Sequence, residues 1–283
     1  MTWNEKYWDI ISNIYWTPRF IGMSSVASET LGESNALPKE GRVYVRTRKH
    51  KDILEYLSFQ EEVLNHVFNV TFAIAGDAIL SSLLCEPLEI EDEGPFTSLG
   101  RELALRFDFG ESNVTQPDGF FTTPKSVLGV ELKLGSATWP EQIAKYLALM
   151  HLEERCSGKR DNLGLLFIVP ESVREGHLSK IGVEGSGIDA EFLTRLNRSK
   201  LPKRIRDLLE KNPDSIDSVR SRVRLASVSW IWLRDQLEQI ESTLDSSKPG
   251  EQTLLRLLCG LRTQIECHEK TGITKKLQPI VDS

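Results

Sequence analysis

Between Asn113 and Tyr146 the chain reads NVTQPDGFFTTPKSVLGVELKLGSATWPEQIAKY, which holds two carboxylates, an ammonium, an amide and a phenol in a short span. Side chains alternate along a strand, so in VLGVELKLG the residues Glu131 and Lys133 share one face while Val130, Leu132 and Leu134 take the other. Taken alone, that pattern is also an ordinary amphipathic strand with a solvated Glu/Lys face. Asp118 follows a proline in the preceding segment, where a hairpin would bring its carboxylate beside Glu131. Two carboxylates meeting at a strand end suit Mg²⁺, with Mn²⁺ as a substitute, because such an ion takes one or two carboxylates and keeps waters for substrate phosphate. Lys133, two residues on, can orient an attacking water and offset developing phosphate charge. Gln142 and Tyr146, spaced i and i+4, lie one above the other on the next helix. Hydrolysis of a phosphodiester needs this set: acids for a metal, a cation for the water, and polar groups to hold the strand.

The order P-D (Pro117, Asp118), E-x-K (Glu131, Lys133) and Q-x-x-x-Y (Gln142, Tyr146) resembles the PD-(D/E)xK nuclease superfamily, in particular the exonuclease-like branch associated with recombination helicases. The motif spans Pro117 to Tyr146, and element order extends the similarity to about 51–235. The resemblance implies a restriction-endonuclease-like core and Mg²⁺-dependent hydrolysis of DNA, with RNA left open, in repair, restriction or phage defence. It implies that Asp118 and Glu131 are metal ligands with the Leu132 carbonyl as a third. Lys133 is then the water-positioning lysine, and Gln142 and Tyr146 steady the substrate or the site. The family usually adds an acid from an upstream helix. Here Glu61 falls inside the apolar stripe of Leu57, Leu64 and Phe68; equally, Ser58-Phe-Gln-Glu61 is a capping box that closes a helix start. The competing function is a nuclease-like module that grips DNA or a protein without cutting.

The elements that must position these groups follow from periodicity. Trp3 to Trp16 reads as an amphipathic helix, Gly22 to Gly41 as a loop, RVYVRTRKHK as a strand with a basic tip, and 52–72 as a helix. Three strands are expected at 103–109, 114–121 and 127–135. Thr138 and Glu141 form a T-x-x-E box that opens a helix to about Leu152, with Pro140 in its first turn. NLGLLFIVP is a strand buried on both faces, a basic helix covers Pro202 to Lys211, and VRLASVSWIWL is a second buried strand. Two leucine-rich helices close the chain, able to complete the core, form a homodimer or dock a protein partner. The fold class is α/β, bordering on α+β, with a mixed central sheet flanked by helices and with helical extensions at both ends. The parts are 1–50 (helix, loop and basic strand), 51–235 (nuclease-like core) and 236–283 (helical hairpin on the core).

Composition sets the outer bounds. The chain has 283 residues, 40% of them hydrophobic, and a net charge of −6. Ten Lys/Arg against four Asp/Glu between Arg195 and Arg224 make a local +6, the least that a protein reading a phosphate backbone requires. Arg220, Arg222 and Arg224 alternate and would share one face to clamp consecutive phosphates, with Arg195, Arg198, Lys203, Arg204 and Arg206 extending the track. The other reading pairs these arginines with the acidic loop Glu86 to Glu93. No apolar run approaches the roughly 20 residues of a membrane helix, and Glu5, Lys6 and Asp9 stand where a signal peptide is apolar, so a cytoplasmic protein with no membrane partner is expected. Four scattered cysteines read as reduced core thiols. Gly185-Ser-Gly187-Ile-Asp-Ala190 matches a dinucleotide fingerprint but lacks the strand and uninterrupted helix that give it meaning.

Overall fold

Ser126–Leu132 (β5), apolar but for its first residue and Glu131, is buried along its whole length and forms the central strand of a five-stranded sheet. In this computed structural model the described residues are 23–27, 42–46, 61–99, 117–135, 138–183 and 185–273. The chain divides into two compact units, 1–64 and 65–283. In the first, β1 (Met23–Ala27) pairs antiparallel with β2 (Arg42–Arg46). The strand read in RVYVR is therefore present, while the start of the expected Gly22–Gly41 loop is its partner strand. The expected helix at Trp3–Trp16, the basic tip after Arg46 and the strand at 103–109 lie outside the described residues.

In the second unit, β3 (Thr97–Ser98), β4 (Gly119–Thr122) and β5 run antiparallel, and β5, β6 (Asn162–Val169) and β7 (Val223–Ser229) run parallel, in the order β3-β4-β5-β6-β7. The sheet is thus mixed and flanked by helices. Parallel neighbours need long crossovers, which place helices on the sheet faces and bury the strands on both sides. One crossover is α3 (Pro140–Ser157). The other is a series of short helices: α4 (Glu171–Arg174), α5 (His177–Lys180), α6 (Phe192–Arg195), α7 (Lys203–Lys211) and α8 (Pro213–Arg220). Apolar side chains of α3, α7 and α8, such as Ile143, Ile205 and Ile216, pack with Leu165, Phe167 and Leu225 on one face. The opposite face meets α1 (Glu61–Ile74), where Phe68 and Phe72 stack at 4.0 Å and Phe72 leans on Phe121 at 6.2 Å. α2 (Asp77–Leu80) leads into a turn whose Leu88 and Ile90 press against Gly164 of β6.

One expectation changes at an element end. VRLASVSWIWL is not one strand: β7 stops at Ser229, and α9 (Trp230–Thr243) begins there because the Ser229 hydroxyl accepts the Trp232 N–H at 3.0 Å. An apolar run alone cannot distinguish a buried strand from a buried helix; the serine cap decides it here. The boundary read at 235 accordingly falls inside α9, which packs with α10 (Pro249–Cys267). The acidic loop carries one internal carboxylate. Asp92 is buried and accepts bonds from Thr123 Oγ1 at 2.5 Å, Gly94 N–H at 2.9 Å and the Ser126 hydroxyl, so it pins the β4–β5 turn. Of the cysteines only Cys85 is buried; Cys156 is exposed and none is paired. Among the described residues no helix is long and apolar enough to cross a membrane.

Candidate active site

Asp118 stands just before β4 and Glu131 near the end of β5. The register pairs Gly119 with Val130, so continuing it by one residue sets Asp118 opposite Glu131 and Pro117 opposite Leu132. Asp118 is held on three sides. Asn65 Nδ2 donates to its Oδ1 at 2.5 Å, the Leu132 N–H donates to its Oδ2 at 2.7 Å, and Asn69 Nδ2 donates to its backbone carbonyl at 2.7 Å. The two asparagines are four apart on α1 and therefore neighbours on one face.

Glu131 and Lys133 do not form a solvated face: they are 7% and 6% exposed. The Lys133 ammonium donates to Glu131 Oε1 at 2.5 Å. Gln142 Nε2 donates to the same oxygen at 2.6 Å, and the Tyr146 hydroxyl lies 2.7 Å from Oε2 and 2.6 Å from the Val130 carbonyl. Gln142 is oriented by its own Oε1, which accepts the Trp139 N–H at 3.3 Å. That contact replaces the expected T-x-x-E box: α3 starts at Pro140, the Thr138 hydroxyl turns to His177 at 2.9 Å, and Glu141 accepts the Asn197 N–H at 3.2 Å. The five residues singled out at Asp118, Glu131, Lys133, Gln142 and Tyr146 thus meet at one end of the parallel strands.

Burial of like charges governs the electrostatics. The Asp118 carboxyl is pushed up to about 7, first by desolvation and then by the Glu131 charge, against the Leu132 and Asn65 bonds and the Lys133 charge that pull it down. Tyr146 is held well above the usual phenol range by burial and by the charges of Glu131 and Asp118, so it stays protonated as a donor. His177 bridges the Thr138 hydroxyl and Ser227 Oγ, the latter at 2.7 Å, with its ring edge-on to Phe167. Its pKa is lowered to about 4 by burial and by the charges of Lys133 and Lys180, so the ring is neutral at pH 7 and adds no second cation beside Lys133. The sign for stability follows. Asp118 binds its proton more tightly folded than unfolded, so its contribution to stability falls as pH rises from about 4 to about 7, whereas His177, with its pKa lowered from 6.5 to about 4, contributes in the opposite sense over much of that window. Thermal midpoints in EDTA isolate the Asp118 share: relative to Asp118→Asn, the wild type is expected to lose stability as pH rises.

Among the described residues no group of three or more His, Cys, Asp and Glu side chains assembles that could hold a metal. The donor set still fits a hard cation in another way. A carboxylate offers about four acceptor positions; Asp118 uses two and Glu131 three. A strand residue's N–H and C=O leave from one edge, so the Leu132 carbonyl faces the Asp118 side, where Pro117 has no N–H to give it. Asn65 Oδ1 is buried there with no hydrogen-bond partner.

The remaining expectations fare differently. Glu61 is the first residue of α1, and its side chain lies outside the described residues. Arg220, Arg222 and Arg224 do not line one strand face. Arg220 ends α8 and is buried, bound to Asp217 at 2.7 Å and to the Ile188 carbonyl. Arg222 forks onto Glu154 at 2.6 and 2.9 Å, and Arg224 donates to the Glu89 carbonyl, the one contact with the acidic loop. They are also at the wrong end of the sheet: Glu154 is twelve residues along α3 from Gln142, about 18 Å at the helical rise. Further exposed cations stand at Arg198, whose guanidinium reaches Glu210 at 3.5 Å, and at Lys200, Lys203 and Arg204, joined to the start of α3 through Asn197. The Gly185 loop is preceded by the four-residue α5 and followed by the four-residue α6, not by the strand and long helix of a nucleotide site.

Sequence reasoning passed over Asn65, Asn69, His177 and Gly129. A Cβ on Gly129 would stand 2.6 Å from Tyr146 Cδ1, so its bare backbone is what lets the phenol lie across β5 to reach Glu131. The paired asparagines on α1 were the one legible signal among these. No protein-family model, curated protein or solved structure matches the chain.

Proposed function

We propose that the protein is a divalent-metal-dependent nuclease that hydrolyses phosphodiester bonds in DNA, built on a restriction-endonuclease-like core. One observation carries the reading: a buried Glu131–Lys133 pair beside Asp118, with Gln142 and Tyr146 fixing the glutamate, at the carboxyl end of the parallel strands. Simple structural ion pairing does not call for a second, proton-hungry carboxylate in the same place.

Asp118, Glu131 and the Leu132 carbonyl would hold Mg²⁺ or Mn²⁺, which when bound supplies Lewis-acid polarisation of a phosphate oxygen. The chain's own groups do the rest. Lys133 has three N–H donors and spends one on Glu131, leaving two for a water and a phosphate oxygen. Gln142 and Tyr146 hold the Glu131 carboxylate in one orientation, so that it need not reorganise during reaction. Asn65 does the same for the Asp118 carboxylate, and Asn69 fixes the Asp118 backbone carbonyl. Arg220, Arg222 and Arg224 are bound within the chain, so the backbone contacts would fall to the exposed stretch at 198–204, where the ion pair of Arg198 with Glu210 would exchange for phosphate.

Purified full-length protein is expected to degrade linear DNA with Mg²⁺, to stop in EDTA, and to lose about 100-fold or more in rate as Asp118→Asn. Failure to cut linear, circular or single-stranded DNA with either Mg²⁺ or Mn²⁺ overturns the reading. Salt-sensitive binding that survives Asp118→Asn, without product, would identify a gripping module instead.

A further inference from the structure

The residue that orients Gln142 is itself unusual. Trp139 is 54% exposed, whereas Trp230 is fully buried with its indole N–H on the Lys133 carbonyl at 2.8 Å. A single exposed aromatic is commonplace; its surroundings make this one informative. Its backbone N–H binds Gln142 Oε1 and Gln142 Nε2 binds Glu131, so the ring stands two hydrogen bonds from the carboxylate. Pro140 follows and restricts Trp139 to the extended backbone it shows, φ −112° and ψ 145°, which stiffens the platform. The Lys200 ammonium lies 4.3 Å from the ring centroid. Asn197, bound through its N–H to Glu141 Oε1, fastens the Arg198–Lys203 stretch beside the start of α3.

We infer that Trp139 is a base-stacking platform for single-stranded DNA at the mouth of the site, with Arg198, Lys200 and Lys203 taking the adjoining phosphates. This rests on the nuclease reading of the Glu131–Lys133 cluster. Every nucleobase has a π-face that an aromatic ring can accept, and cations alongside track the backbone without reading sequence. The exposed cation–π contact of Lys200 is weak, so the ammonium can pass to a phosphate when a base covers the ring. Inside a duplex the bases already stack on one another and offer the ring nothing. The substrate class is therefore unpaired DNA, as a strand or as an opened end.

The test is anisotropy of labelled oligo-dT and of a fully paired, loop-free linear duplex with the 283-residue chain in EDTA. Trp139→Ala is expected to weaken oligo-dT binding about tenfold and leave the duplex within about twofold, while Trp139→Phe retains most of the affinity. Lys200→Ala should weaken binding and flatten its salt dependence. Equal affinity of Trp139→Ala and wild type for oligo-dT, equal losses on both probes, or no binding by wild type overturns the inference. Cleavage in Mg²⁺ separates it from the catalytic reading. If Lys133→Met is dead but Trp139→Ala cuts single strands like wild type, stacking fails and the nuclease stands. If oligo-dT binding depends on Trp139 but wild type never cuts, stacking stands and the nuclease fails.

Discussion

Lys133→Met is expected to reduce cleavage by about 10²–10³-fold and to destabilise the fold by about 3 kcal/mol at neutral pH. Among the described residues the ammonium is the only cation bonded to Glu131, and both side chains are almost fully buried. Removing one partner of a buried pair leaves a charge in low dielectric, at a cost of about 3–5 kcal/mol. Gln142 and Tyr146 still donate to Glu131, which puts the loss at the low end. Glu131→Gln/Lys133→Met should recover much of the stability, because position 131 then carries no charge and Asp118 loses its like-charged neighbour, while staying inactive. Denaturant midpoints and initial rates for the three proteins test this; wild-type stability and rate in Lys133→Met would sink the assignment.

Gly129→Ala is expected to cost about 2–4 kcal/mol and to impair cleavage as well, although residue 129 touches no reacting group. The added methyl would sit 2.6 and 2.7 Å from Tyr146 Cδ1 and Cε1. The ring belongs to a buried helix and cannot withdraw freely. Overpacking of a tight core costs about 1–3 kcal/mol, and loss of the buried Tyr146 hydroxyl bond adds about 1 kcal/mol. Gly164→Ala on β6 is the informative comparison. Its Cβ would meet Leu88 Cδ1 at 2.6 Å and Leu128 Cδ2 at 2.9 Å, both leucine tips on the opposite face. It should therefore lose stability while keeping the Tyr146–Glu131 contact and the cleavage rate. Equal rates in Gly129→Ala and wild type would show that Tyr146 does not hold Glu131 for catalysis.

These two positions show the limits of reading this sequence. Lys133 was legible because its type and its two-residue spacing from Glu131 are chemical facts carried by the strand. Gly129 was not, because its role depends on a ring seventeen residues away that reaches it only after α3 folds back over β5. The capping box failed for a related reason. Thr138 and Glu141 had the right spacing, but His177 and Asn197, distant in sequence, offered them other partners. Arg220, Arg222 and Arg224 alternated as a phosphate clamp should, yet α8 runs through Arg220 and Glu154 lay waiting at the far end of α3.

By itself the sequence determined what periodicity and local chemistry can encode: a mixed α/β layer design, a strand carrying Glu131 and Lys133, the helix after it, and the order of Asp118, Glu131, Lys133, Gln142 and Tyr146. Only the tertiary structure decided that Glu131 and Lys133 are buried together, that two asparagines on α1 hold Asp118, that Arg220, Arg222 and Arg224 bind other parts of the chain, and that Trp139 remains in water beside the site. The reason is physical. Alternation specifies which residues share a face, but whether that face meets solvent or a helix depends on crossover connections between residues far apart in the chain.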